Sequence, residues 1–148
     1  MTTLTPITHD DLEALMRIER SEGYEGLVGR WERDVHEVEM ASPDARYLAW
    51  REGGELVGFV ILQEFNSPVV LLRRIAVAKP GAGTGTALLR AVMDWVFTGT
   101  KAQAMRLHVH HGNERAGRVY LREGFEGMTA DESGINMQVE RARWASMR

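Results

Sequence analysis

Cysteine is absent from the 148 residues, which excludes disulfides, thiolate metal sites and a cysteine nucleophile. Long apolar runs are absent too; the longest are a few residues, against the ~20 that span a bilayer. The opening MTTLTPITHDD lacks a basic n-region and an apolar h-region, so the expectation is a cytoplasmic, unanchored protein with no membrane partner. No excess of positive charge exists: 18 Lys and Arg face 21 Asp and Glu, for a net charge of -3, and nucleic acid is not an expected partner. There is no Gly-x-Ser-x-Gly elbow, which argues against a covalent acyl-enzyme. His108, His110 and His111 have no carboxylate at ligand spacing, so no metal is expected.

What is present is an ordinary globular composition, 44% hydrophobic and 26% charged, in a length that suits one domain over residues 1–148. Eleven of the acids fall between His9 and Asp44, beside only Arg17, Arg20, Arg30 and Arg33. This is either the wet side of two amphipathic helices or an attractor for a cationic substrate.

Thr8 and Asp11 form a capping-box start for a helix from His9 to about Arg20, with Leu12, Leu15, Met16 and Glu19 at helical spacing. Leu27, Val28, Trp31, Val35 and Val38 give a second helical period, stopped at Ser42-Pro43. RYLAWR and ELVGFVILQEF flank Glu52-Gly53-Gly54, and Asn66-Ser67-Pro68 leads into VVLLRRIAV, so three consecutive antiparallel strands follow. A broad apolar face predicts a helix from Thr84 to about Phe97. MRLHVHH reads as a strand, Glu114 to Glu123 as a short helix capped by Asn113, and FEGMT with INMQVERA as a last antiparallel pair. The sum is an α+β fold: a mixed, mostly antiparallel sheet of six or seven strands with four helices.

The chemistry concentrates in IAVAKPGAGTGTALL, Ile75 to Leu89. Three glycines at alternate positions directly before a helix are costly in chain entropy unless a ligand's close approach needs them. Backbone amides there, aided by the helix dipole, suit an anion. No Lys follows Gly85, so a Walker A loop fails; a dinucleotide fingerprint has its third glycine one residue later and needs a parallel βαβ unit. A ligand-free glycine-rich connection stays open on the loop alone.

Read with LHVHHGNERAGRVYLREGF, Leu107 to Phe125, the loop resembles the acyl-CoA site of the GNAT (GCN5-related N-acetyltransferase) superfamily. The two stretches cover about a quarter of the chain, and the second is most similar to the branch that acetylates protein N-termini. The resemblance implies that acetyl-CoA is the co-substrate, held by Ile75, Ala76, Val77, Lys79, Gly81, Ala82, Gly83, Thr84, Gly85, Thr86, Asn113 and Tyr120. It implies further that backbone N–H groups of the preceding strand polarise the thioester carbonyl, and that Tyr120 protonates the leaving thiolate. Where the family carries Gln or Arg this chain has Pro80, which lacks both a side-chain donor and an N–H; Lys79 is the nearest substitute. For the general base, His108 is the first choice, at the position where some relatives carry Glu, and Glu64 the second.

The resulting expectation is an N-acetyltransferase working by direct attack in a ternary complex. Its acceptor is a small-molecule or peptide primary amine: a peptide N-terminus, a polyamine or another cationic amine, held between the N-terminal helices and the central strands. The alternative is an acyl-CoA-binding sensor that has lost turnover. The sequence leaves a homodimer open.

Overall fold

A computed structural model describes residues 2–21 and 31–148. Seven strands form one sheet in the order β1-β2-β3-β4-β5-β7-β6. The strands are β1 (Thr2–Pro6), β2 (Arg46–Glu52), β3 (Glu55–Gln63), β4 (Val69–Val77), β5 (Ala104–His110), β6 (Glu126–Ala130) and β7 (Gly134–Glu140). The helices are α1 (Leu12–Glu19), α2 (Arg33–Met40), α3 (Thr84–Gly99), α4 (Glu114–Arg122) and α5 (Arg141–Ser146). All pairings are antiparallel except β4 with β5. The described helices are each too short or too polar to cross a membrane.

The β2–β3 hairpin turns through Gly53 and Gly54, both at positive φ (59° and 88°), the conformation that a tight hairpin turn demands. Alternation along the strands then sorts side chains into two cores. On one face Leu48, Val60, Leu72 and Leu107 pack against Leu88, Val92, Val96 and Phe97 of α3. On the other, Tyr47, Ala49, Phe59 and Ile61 pack against Leu12, Leu15 and Ile18 of α1. Each such side chain contributes ~1.5–3 kcal/mol when fully buried, and the sheet is held from both sides.

Four elements differ from expectation. The first helix begins as a 3-10 turn over His9–Asp11, and α1 proper starts at Leu12. β1 was not foreseen: a short Thr-rich edge strand ending in proline carries almost no periodic signal. INMQVERA carries the expected last strand to Ala142, whereas α5 begins at Arg141. Arg141 ends that strand by donating to the carbonyls of Phe97, Ala102 and Thr100 at 2.7, 2.7 and 2.8 Å, just past α3, while Trp144 stacks on Phe97. In α2 the predicted apolar face is the wet one, with Val35 43% and Val38 74% exposed and His36 fully buried. Leu27 and Val28 lie outside the described residues.

Two irregularities shape the centre of the sheet. β4 and β5 pair only at Val69↔Ala104, Val70↔Met105 and Leu71↔Arg106, then diverge. Against β3, Leu72 pairs with Leu62 but Arg74 pairs with Ile61, so Arg73 is an extra, bulged residue. From Arg74 onward β4 is shifted by one residue, placing Arg74 and Ala76 on the α1 face and Ile75 toward α3.

Candidate active site

The divergence of β4 and β5 leaves two connected hollows. The larger, about 690 Å³, opens between the end of β4, the glycine loop and α4. Its walls include Ile75, Ala76 and Val77 from β4, Gly81, Gly83, Gly85 and Thr86 from the loop, and Asn113 and Tyr120 from α4. Gly81 and Gly83 take φ of 93° and 82°, so only glycine sits there without strain. A Cβ at Gly81 would run into the Arg115 guanidinium, whereas Gly83 and Gly85 face open space. Gly83 caps α3 with no side chain to satisfy the first amides, leaving them for a ligand.

Asn113 holds the start of α4, its Oδ1 accepting from the Ala116 N–H at 3.3 Å. Tyr120 then falls two turns on, edge-on to Phe125 with ring centroids 5.7 Å apart. Lys79, Ala82 and Thr84 belong to the loop but do not line the cleft wall. The cations on the wall are Arg115, Arg118 and Arg122, at i, i+3 and i+7 of α4. Among the described residues no carboxylate pairs with Arg115 or Arg118, while Arg122 reaches Thr86 Oγ1 at 3.4 Å. Sequence reading missed this stripe, although the Arg spacing along α4 was there to be read.

A group with several phosphates fits this cleft: glycine amides at a helix start on one side, and on the other Arg115 and Arg118, with Arg122 also in reach of Glu123 at 4.0 Å. The middle of α3 and the C-terminal cap of α4 are tied by Arg90 and Glu123, bonded at 2.6 and 2.9 Å. The Arg90 hydrogen bond, against burial, holds the Glu123 carboxyl below its usual range.

The smaller hollow, roughly 70 Å³, lies in the fork itself, between Leu72, Arg73 and Arg74 of β4 and Leu107, His108 and His110 of β5. Tyr120 and Asn113 also line it, so Tyr120 stands where the two hollows meet. His108 and His110 share a face, as expected, with ring centroids 6.1 Å apart. His108 Nδ1 lies 3.0 Å from Asn136 Oδ1 and its Nε2 lies 3.0 Å from Ser133 Oγ, which bonds Asp131 at 2.6 Å. Ser133 has one proton to share between those neighbours; a proton arriving on Nε2 completes the chain. Glu64, the second candidate base, is not brought to the site. It stands beyond the end of β3, near the paired end of the fork, with φ of 51° and its carboxylate on Arg106.

Beneath Arg74 lies a buried polar group that the sequence reading did not assemble. Glu19 Oε1 is 2.8 Å from His36 Nε2 and 3.6 Å from Arg74 Nη1. His36 Nδ1 is 2.7 Å from the Tyr47 hydroxyl. Burial foremost, with the Glu39 and Glu19 charges adding, pushes the Tyr47 phenol far above its usual range. Burial likewise lowers Arg74, an effect that Glu19 opposes and Arg73 reinforces. Two signals existed: a glutamate in register with Leu12 and Leu15, and Arg73-Arg74, which breaks strand alternation.

Residues 12–125 match the model of the Acetyltransferase (GNAT) family. A spermidine N-acetyltransferase from Vibrio cholerae, solved with CoA and spermine, superposes with a TM-score of 0.84 at 17% identity, over 97% of this chain and 98% of that one. AAC(6')-Ib, solved with ribostamycin and coenzyme A, gives a TM-score of 0.85 at 20% identity over 99% and 97% of the chains. AAC(6')-Ib solved with paromomycin and acetyl-CoA gives 0.83 at 21% over the same shares. At these identities the likeness establishes the fold, and no curated protein sequence matches. With the forked sheet, the glycine cradle and a family match across most of its length, the chain belongs to the Acetyltransferase (GNAT) family and is an acetyl-CoA-dependent N-acetyltransferase.

Proposed function

We propose that the chain acetylates a primary amine by direct attack within a ternary complex, the amine entering through the β4–β5 fork. One observation carries this reading: Tyr120 lines both hollows, so a single phenol faces the cofactor side and the acceptor side. Acetyl-CoA supplies an acetyl group activated as a thioester. Its phosphates are taken by the loop from Gly81 to Thr86 and by the α4 arginines, and β4 beyond Leu71 offers a side on which no other described strand pairs. Tyr120 Oη gives the proton that the departing thiolate takes up. His108, coupled to Ser133 and Asp131, takes the proton that the amine must shed, directly or through a water.

Among the expected acceptors, a peptide or amino-acid amine fits the fork better than a polyamine. A second cationic centre finds no carboxylate among the described residues that line it. The bound spermine and aminoglycosides of the neighbours keep those cationic classes as the comparison set.

The test is thiol release from acetyl-CoA with a panel of primary amines across pH. Turnover is expected, and lower turnover in His108→Ala with unchanged acetyl-CoA binding supports its role as base. Tight acetyl-CoA binding with no release for any amine would make the chain a sensor instead.

A further inference from the structure

Among the described residues, no acid of the N-terminal segment lines the fork, and Glu19 meets Arg74 from behind. Glu13 pairs with Arg17, Glu32 with Arg20 and Glu37 with Arg33 on helix surfaces, at 3.7, 3.4 and 2.9 Å. Asp11 takes Arg51 at 2.7 Å, and Glu39 accepts from Gln63 at 3.0 Å. The basic groups lining the fork, among the described residues, are Arg73, Arg74, His108 and His110, with no carboxylate beside them in the lining. In a chain of net charge -3, this is a local inversion of sign.

Arg74 is met from behind by Glu19, and Arg106, below the fork, by Glu64. Arg73 has no carboxylate within ion-pair distance among the described residues. Both guanidiniums converge on one aromatic plate: Arg74 Cζ lies 3.9 Å and Arg73 Cζ 5.5 Å from the Trp31 ring centre. Trp31 in turn stands edge-on to the buried His36, 5.5 Å between centroids. Guanidiniums held this way are pre-organised for a planar anion. Crowding two of them is unfavourable in itself, and the Arg73 charge, after burial, is among the causes that depress Arg74.

We infer that the acceptor is a primary amine carrying a carboxylate close to its nitrogen, and that Arg73 and Arg74 read that carboxylate. The hollow is small, and Tyr120 shares its wall with both arginines, so amine and carboxylate must sit on the same end of the acceptor. Two sources carry this chemistry: a free α-amino acid, through its α-carboxylate, and a peptide that begins with Asp or Glu. The inference rests on the acetyl-transfer reading and narrows it.

Matched pairs test it: glutamate against its α-amide, and a C-terminally amidated tripeptide beginning with Glu against one beginning with Gln, with spermidine as the cationic reference. The expected result is about a tenfold preference in kcat/KM for the carboxylate member of a pair, the scale of a charge-assisted hydrogen bond. In Arg73→Gln, an exposed change that should leave Tm unmoved, the preference falls to about twofold or less. A preference confined to the first pair assigns the α-carboxylate, and one confined to the second assigns the side chain. Equal efficiency within both pairs, or spermidine outperforming all four, overturns the inference while acetyl transfer stands. If acetyl-CoA binds but no amine is turned over, acetyl transfer fails. Calorimetric titration of the same pairs into CoA-loaded protein then decides the inference, and equal affinity overturns it.

Discussion

The cofactor cleft and the acceptor fork share Tyr120 and Asn113 but are assembled in opposite ways. The cleft is made of contiguous chain: a strand end, a glycine loop and a helix start, with α4 closing it. It offers backbone amides and two arginines, Arg115 and Arg118, that no described carboxylate neutralises. The fork draws side chains from β4 and β5, about 30 residues apart, backed by Glu19, Trp31 and His36 from around the two N-terminal helices. A backbone-built site tolerates much sequence change around its glycines, whereas a site of converging side chains is rewritten by one substitution. The first suits a co-substrate common to a family, the second an acceptor peculiar to each member.

The shared residue offers the largest expected break in that comparison. Tyr120→Phe should lower kcat by about 100-fold, the ordinary scale of a lost general acid, while KM for acetyl-CoA stays within about twofold. Equal losses in both parameters would mean that the phenol serves the cleft alone. On the cleft side, Arg115→Ala is expected to weaken CoA binding by about tenfold, as the loss of a charged hydrogen bond does, and Lys79→Ala by less than about twofold. Calorimetric titration of CoA measures both; a larger effect at Lys79 would return the missing donor to the loop.

The smallest effect concerns the tie between α3 and α4. The Glu123 carboxyl titrates below the usual 4.5 in the folded state. Its contribution to stability is therefore complete above that pH and lost as pH falls through the lower folded value. Glu123→Gln should lower Tm at neutral pH, and the gap to the unaltered protein should close as pH falls below 4.5. A gap independent of pH would show that packing, not charge, holds the two helices.

How much of this was legible in the sequence follows the same division. Local signals were faithful: the glycine turn at Gly53, the strand-loop-helix from Ile75, and the Asn113 cap all stand where their residues put them. The candidate cofactor residues on the wall came from that local run. What failed was long-range. The bulge at Arg73 depends on register with β3, and α2 turns His36 inward because Glu19, Tyr47 and Trp31 receive it there. Glu64 sits one residue beyond a strand whose neighbours decide its partner, and it found Arg106. Charge totals are uninformative for a related reason. Counting acids along the chain says nothing about which cations they meet once helices fold.

Among the described residues, β4 and β5 pair at only three positions where the two halves of the sheet meet. Whatever lies along β4 within the fork therefore bridges two half-sheets as well as feeding a reaction. Occupancy and conformational stability become one linked quantity, worth ~2.7 kcal/mol when the free ligand stands at a hundred times its Kd. On the proposed placement along β4, the co-substrate would also be a removable strut, and the fold would be firmest when acetyl-CoA is plentiful.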